Sequence, residues 1–87
     1  MSIRTNAFTR AVSLVRTAAR RRLRNNPTLS AVDLTASAPS FRGAKRGAVI
    51  RTVFRQLEVE GVISPTTDTV YNPRIRHSVT VYRRVGR

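Results

Sequence analysis

The chain has 87 residues, of which seventeen are Lys or Arg and four are Asp or Glu, so its formal net charge at pH 7 is +13. A chain of this length is expected to form one small domain that buries only about 60 to 65% of the surface exposed when unfolded. The sequence contains no cysteine, which excludes disulfides and thiolate metal sites and leaves apolar packing to stabilise the fold.

The excess of positive charge predicts a polyanionic partner, either nucleic acid or an anionic membrane. Lys45 is the sole lysine, and every other cationic side chain is Arg. A guanidinium presents a planar bidentate fork to phosphate or guanine. Genomic base composition also produces an excess of Arg, and the sequence leaves both explanations open.

No segment approaches the roughly eighteen apolar residues of a membrane span, and the first residues lack the apolar core of a signal peptide. We therefore expect an intracellular protein, located in the cytoplasm or with the nucleoid or nucleus. The acid-free, Arg-rich run over residues 4–24 also resembles a mitochondrial transit peptide, although its apolar residues are needed for the core.

The first predicted element is an amphipathic helix over residues 7–24, which Asn26 and Pro27 terminate. Apolar residues recur in it at helical spacing, with cations on the opposite side. The apolar positions are Phe8, Ala11, Val12, Val15, Ala18, Ala19 and Leu23. Leu14 falls outside this stripe, and its exposure would be compatible with two-fold dimerisation.

The run ARRRLR, Ala19–Arg24, admits several interpretations. Arg20, Arg21 and Arg24 are candidate auxiliary phosphate contacts, and such a run is also typical of RNA-binding or nuclear-targeting segments. Alternatively, these cations are only the solvated face of the helix, and one of them interacts favourably with the negative, C-terminal end of the helix dipole. A basic amphipathic helix can also lie on an anionic membrane. The stripe is rich in Ala and lacks Trp, so we expect no membrane partner.

A second, shorter helix is predicted over residues 30–36, because Ser30 and Asp33 form a start that resembles a capping box. The stretch SAPSFRG, residues 37–43, is rich in Pro, Ser and Gly and predicts a turn. Phe41 within this turn is expected to fill the core between the helices.

The third predicted helix, over residues 44–60, separates its cations from its apolar residues at about 100° per residue. The apolar side consists of Val49, Ile50, Val53, Phe54 and Leu57. The opposite side consists of Lys45, Ala48, Arg51, Thr52 and Arg55. Arg46 projects near the apolar side and must swing outward or pair with an acid. Glu58 and Glu60 lie at the C-terminal end, which leaves positive potential at the N-terminal end.

The remaining residues predict a β-hairpin over residues 62–84. Alternation over residues 79–84 is typical of a half-buried strand. Its predicted partner is Val62–Thr67, in which Pro65 indicates an edge strand or a break in pairing. A turn at Asn72 and Pro73 leads into an expected exposed cationic arm that carries Arg74, Arg76 and His77. Tyr71 and Tyr82 are expected to cover the sheet, or else to stack on bases.

This order of elements, with the stretch LEVEGVI at Leu57–Ile63, resembles the winged helix-turn-helix superfamily over roughly residues 27–84. The chain is also similar to the winged-helix protein of the eukaryotic and archaeal small ribosomal subunit, which is short, basic and ends in a tyrosine-containing strand. The resemblance implies an α+β fold of three helices followed by a β-hairpin wing, in a single domain over residues 1–87.

In winged-helix proteins the third helix enters the major groove and the wing contacts the adjacent backbone or minor groove. The nucleic-acid contacts that this resemblance implies are Arg42, Lys45, Arg46, Arg51, Thr52, Arg55, Arg74, Arg76 and His77. Arg or Lys can pair with guanine, and Thr can contact a phosphate or a thymine methyl group. A merely solvated polar face is the alternative interpretation, and the net charge favours nucleic acid over it.

Catalysis and metal binding have little support in the sequence. His77 is the only histidine, so neither a metal nor another cofactor is expected. The four acids form no recognisable set with a nucleophile and a base, so we do not expect an enzyme.

Three functions remain: a small DNA-binding regulator of transcription or recombination, an RNA-binding ribosomal-type protein, and a small viral or host module that binds an acidic protein surface. An RNA-binding protein would use the same basic faces on the A-form backbone, because the deep major groove of A-form RNA would not admit the third helix.

Overall fold

The computed structural model describes residues 7–37, 46–73 and 75–86, which form an α+β arrangement of three helices and a three-stranded antiparallel sheet. The expected α+β class is therefore present. The helices and strands are α1 (Ala7–Asn25), β1 (Thr28–Leu29), α2 (Ala31–Ser37), α3 (Arg46–Val59), β2 (Ile63–Asn72) and β3 (His77–Arg84). The predicted turn with Phe41 lies outside the described residues.

Strand β1 was not predicted, because two residues are too few to show alternation. In the sheet order β1-β3-β2, strand β3 lies at the centre. Thr28 pairs with Arg83 and Leu29 pairs with Tyr82. The amide of Arg84 also donates a hydrogen bond to the carbonyl of Pro27 at 2.7 Å. The segment after Pro27 thus becomes an edge of the sheet before α2 begins.

The first strand of the hairpin is longer than predicted, because β2 continues to Asn72 instead of ending near Thr67. The expected exposed arm is also shorter, since His77 is the first residue of β3 and pairs with Asn72. The sequence over residues 66–69 has no apolar residue to indicate a strand. Pro65 lies on an edge strand, and the register shifts between Pro65 and Thr69, so both parts of the prediction for Pro65 hold.

The core is formed between α1 and α3 and extends to α2 and the sheet. All five apolar residues predicted for the third helix are buried, and α1 contributes Ala11, Val12, Val15, Ala19 and Leu23. Leu29, Leu34 and Ile63 complete the cluster. Phe8, which the sequence placed in the same stripe, lies in the first turn of α1 and is 37% exposed.

Local hydrogen bonds set the ends of α2 and α3. The carboxylate of Asp33 accepts hydrogen bonds from the amide of Ser30 at 2.8 Å and from its hydroxyl at 3.2 Å, which caps α2 as predicted. At the end of α3, Gly61 has φ of 77°. The amide of Val62 donates a hydrogen bond to the carbonyl of Leu57 at 2.9 Å. The amide of Gly61 donates one to the carbonyl of Glu58 at 3.0 Å. These bonds form a Schellman motif, which directs the chain from α3 into β2.

Candidate nucleic-acid interface

The exposed face of α3 carries Arg51 and Arg55, one helical turn apart and opposite the buried residues of the same helix. Arg46 is half-buried at the start of α3. Thr52 is also half-buried, and its hydroxyl donates a hydrogen bond to the carbonyl of Ala48 at 2.9 Å. While that bond persists, Thr52 can accept a hydrogen bond but cannot donate one to a phosphate.

Arg51 and Arg55 border a concave surface between α3 and the hairpin, which we call the α3–hairpin groove. Its volume is about 680 Å³. The residues that line it are Ala31, Thr35, Arg46, Gly47, Ile50, Arg51, Phe54, Arg55, Glu58, Asn72, Ile75, Ser78, Val79, Thr80 and Tyr82. The groove therefore combines an apolar floor with a cationic rim supplied by α3.

Tyr82 forms part of this floor and packs against the core. Burial raises the pKa of the Tyr82 phenol, and the negative charge of Glu58 raises it further. The phenol is therefore neutral at physiological pH. Tyr71, by contrast, is 57% exposed on β2. The two tyrosines thus differ: Tyr82 covers the sheet, and the ring of Tyr71 is accessible for stacking.

The tip of the hairpin carries the exposed side chains of Ile75, Arg76 and His77. Arg76 adopts φ of 54°, a left-handed conformation that non-glycine residues seldom adopt outside turns. This conformation reverses the chain between β2 and β3 and leaves the Arg76 guanidinium in solvent. The tip therefore holds a cation at the end of the hairpin farthest from Arg84.

The three cations predicted as auxiliary phosphate contacts lie on α1, away from the α3–hairpin groove. Arg20, Arg21 and Arg24 are all exposed. Arg20 and Arg24 line a second, smaller depression of about 390 Å³ together with Leu23, Val62 and Arg84. Sequence patterns did not indicate that Arg84 lies beside α1, because its hydrogen bond to the carbonyl of Leu23 joins residues far apart in the sequence.

Two of the four acids pair with arginines that line neither depression, whereas Glu58 lines the α3–hairpin groove. The Asp33 carboxylate lies 3.1 Å from a guanidinium nitrogen of Arg22, and the Glu60 carboxylate lies 2.5 Å from one of Arg16. The hydrogen bond from Arg16 lowers the pKa of Glu60 below the ordinary value. Because the chain has seventeen cations and only four acids, most cations cannot have a carboxylate partner of their own within the chain.

Three of the predicted contacts, Arg42, Lys45 and Arg74, lie outside the described residues. Among the residues that the structure does describe, His, Cys, Asp and Glu form no group of three or more that could hold a metal ion. No helix within those same ranges is long and apolar enough to cross a membrane. Neither a protein-family model, nor a curated protein, nor a solved structure matches this chain.

Proposed function

We propose that the protein is a winged-helix protein that binds duplex DNA through α3 and the hairpin, as a small regulator of transcription or recombination. The arrangement of three helices with an antiparallel sheet that includes a long hairpin is compatible with a winged-helix fold. In this proposal α3 is the recognition helix and the β2–β3 hairpin is the wing.

The observation that carries the proposal is the position of Arg51 and Arg55. Both side chains are exposed, and the opposite side of α3 is buried in the core. Four residues of helix separate their Cα atoms by about 6 Å along the axis. Two guanidinium forks at that spacing can bind guanine edges or phosphates in the major groove.

The hairpin supports this mode of binding because it projects a cation beside α3. Arg76 and His77 are exposed, and Ile75 near them borders the α3–hairpin groove. In the proposed complex these tip residues contact the sugar–phosphate backbone next to the site of α3. Such contacts raise affinity for every sequence equally and do not select among bases.

Dimerisation would extend the recognised site. Leu14 is 52% exposed on α1, as its position outside the apolar stripe predicted. A homodimer that covers Leu14 would present two copies of α3, and each would read one half-site. The monomer with one α3 would bind a single half-site with lower affinity.

The apolar floor of the α3–hairpin groove favours a second candidate function, the recognition of an acidic protein segment. Ile50, Phe54 and Tyr82 contribute to this floor, and Arg51 and Arg55 lie at its rim. An amphipathic helix with acidic and apolar residues is complementary to such a surface. This candidate predicts a protein partner together with weak binding to DNA of any sequence.

Fluorescence anisotropy with a random-sequence duplex DNA, a structured RNA of equal length and an acidic amphipathic peptide, across a salt series, distinguishes the candidates. Tight binding to the duplex with a steep salt dependence supports the proposal. Preference for the RNA at matched salt supports the RNA-binding alternative. Preference for the peptide, with little binding to either nucleic acid, supports the second candidate.

A further inference from the structure

A second cationic surface lies at the C-terminal end of α1, and we call it the α1-end cluster. It consists of Arg20 and Arg24, which are one turn apart on α1, and Arg84 at the end of β3. These three residues line the depression of about 390 Å³ whose apolar lining is Leu23 and Val62. Three guanidinium groups thus converge on one concave surface.

Arg84 is held in position by the helix that it faces. Its Nη1 donates a hydrogen bond to the carbonyl of Leu23 at 2.6 Å. The last carbonyls of a helix carry partial negative charge, which would otherwise repel an anion bound there. The bond from Arg84 counters that charge, and a guanidinium has five N–H donors, so others remain for a ligand.

Glu60 is the acid whose pKa is affected by the charge of Arg20, and its carboxylate is already hydrogen-bonded to Arg16. The pKa of Glu60 is lowered first by the hydrogen bond from Arg16, and the charge of Arg20 makes a smaller contribution. The carboxylate of Glu60 lies within hydrogen-bond distance of Arg16 and not of Arg20. Arg20 and Arg24 are both exposed, so the cluster retains most of its positive charge.

The α1-end cluster and the α3–hairpin groove lie on different flanks of α3. Arg16 of α1 donates a hydrogen bond to Gln56 at 3.0 Å and contacts Glu60, so α1 packs on that flank. Arg51 borders the groove and is displaced from Gln56 by about 140° around α3, given about 100° per residue. The two surfaces have no lining residue in common.

We propose that the α1-end cluster binds the phosphate backbone of a second nucleic-acid segment, so that one protein molecule bridges two duplexes. The inference rests on the proposed function for the first duplex, which α3 and the hairpin bind. Arginine forks match phosphate oxygens bidentately, and the apolar lining from Leu23 and Val62 suits sugar contacts. Contacts to the phosphate backbone carry no direct sequence information, so the second contact is independent of sequence.

A two-duplex capture assay tests this inference. A biotinylated duplex is fixed to beads and saturated with protein, unbound protein is washed away, and a fluorescent duplex of different sequence is added. We expect the wild-type protein to retain the fluorescent duplex. Arg20→Ala combined with Arg24→Ala should reduce that retention by about tenfold, a larger loss than the loss of affinity for a single duplex, because the removed phosphate contacts act mainly on the second duplex.

Arg10→Ala is the matched control for the single variant Arg24→Ala. Each substitution removes one exposed arginine from α1, but only Arg24 belongs to the cluster. Arg10→Ala should retain the fluorescent duplex as the wild type does, and Arg24→Ala should retain less. Circular dichroism spectra of the variants establish that α1 is intact in each.

Three outcomes would overturn the inference. If the wild type binds the first duplex and retains no second one, bridging is absent although the proposed function stands. If the variant without Arg20 and Arg24 bridges as well as the wild type, the second duplex is bound elsewhere and not by the cluster. If single-duplex affinity and retention fall in proportion, the cluster belongs to one continuous footprint. Failure to bind the first duplex would instead reject the proposed function, and the inference with it.

Discussion

The ring of Tyr82 on β3 stacks on the ring of Phe54 on α3, with centroids 4.8 Å apart and planes inclined by 25°. This pair fixes the separation of α3 from the central strand at the floor of the α3–hairpin groove. Phe54→Ala should lower the free energy of unfolding by about 3 kcal/mol, because it removes a buried aromatic ring and leaves a cavity. Urea denaturation measures the change. Tyr71→Ala is the control, since Tyr71 is exposed and its loss should cost no more than about 0.5 kcal/mol.

The phenol of Tyr82 should titrate above the ordinary tyrosine pKa, because burial and Glu58 both disfavour the phenolate. A group whose pKa is higher in the folded state than in the unfolded state stabilises the fold at pH values below its unfolded pKa. This contribution is lost as the pH rises through its folded pKa. Ultraviolet absorbance of the Tyr71→Phe variant reports Tyr82 alone, because the chain has two tyrosines. The same variant in concentrated urea gives the reference midpoint. Equal midpoints in the two conditions would show that Tyr82 is not buried against α3.

The carboxylate of Glu60 should stabilise the protein at neutral pH and lose this effect in acid. Its pKa is lowered in the fold by the hydrogen bond from Arg16, so the contribution is present above the unfolded carboxyl pKa. It disappears as the pH falls through the lowered folded pKa. Thermal midpoints of the wild type and of Glu60→Gln should therefore differ at neutral pH and converge once the pH falls below the lowered pKa of Glu60. Asp68→Asn is the charge-matched control, and a difference that persisted unchanged into acid would contradict the assignment.

Substitutions on α3 and at the hairpin tip should affect DNA binding differently. Arg51→Ala or Arg55→Ala should weaken binding to a selected site by about 1–3 kcal/mol and relax the base preference. Arg76→Ala should weaken binding to all sequences alike and reduce the salt slope by about one unit per lost phosphate contact. Anisotropy titrations on selected and random duplexes separate the two effects, with Arg10→Ala as the control. Unchanged affinity in both sets of variants would show that this face does not contact DNA.

The helices of this protein are predictable because each carries a local signal. The spacing of apolar residues on α3 placed Val53 and Leu57 in the core, and both are buried. The Ser30–Asp33 pair located the start of α2 in the same way. These features depend on residues three or four positions apart, so the sequence contains them directly.

The missing features depend on residues far apart in the sequence. Strand β1 exists only because Thr28 and Leu29 reach Arg83 and Tyr82. The α1-end cluster likewise brings Arg24 and Arg84 to one depression, and no local pattern marks that arrangement. The extension of β2 to Asn72 follows from the pairing of residues 69–72 with β3 beyond the register shift, because residues 66–69 have no alternation of their own.

The central position of β3 in the sheet has a consequence for biosynthesis. β1 and β2 both pair with β3 and not with each other, so neither has a hydrogen-bonding partner before residues 77–84 leave the ribosome. The contacts that complete the sheet join residues as distant as Thr28 and Arg83, and such distant pairings form slowly. A ribosome stalled before residue 77 would therefore hold a cationic, polyanion-attracting chain that lacks the central strand of its sheet.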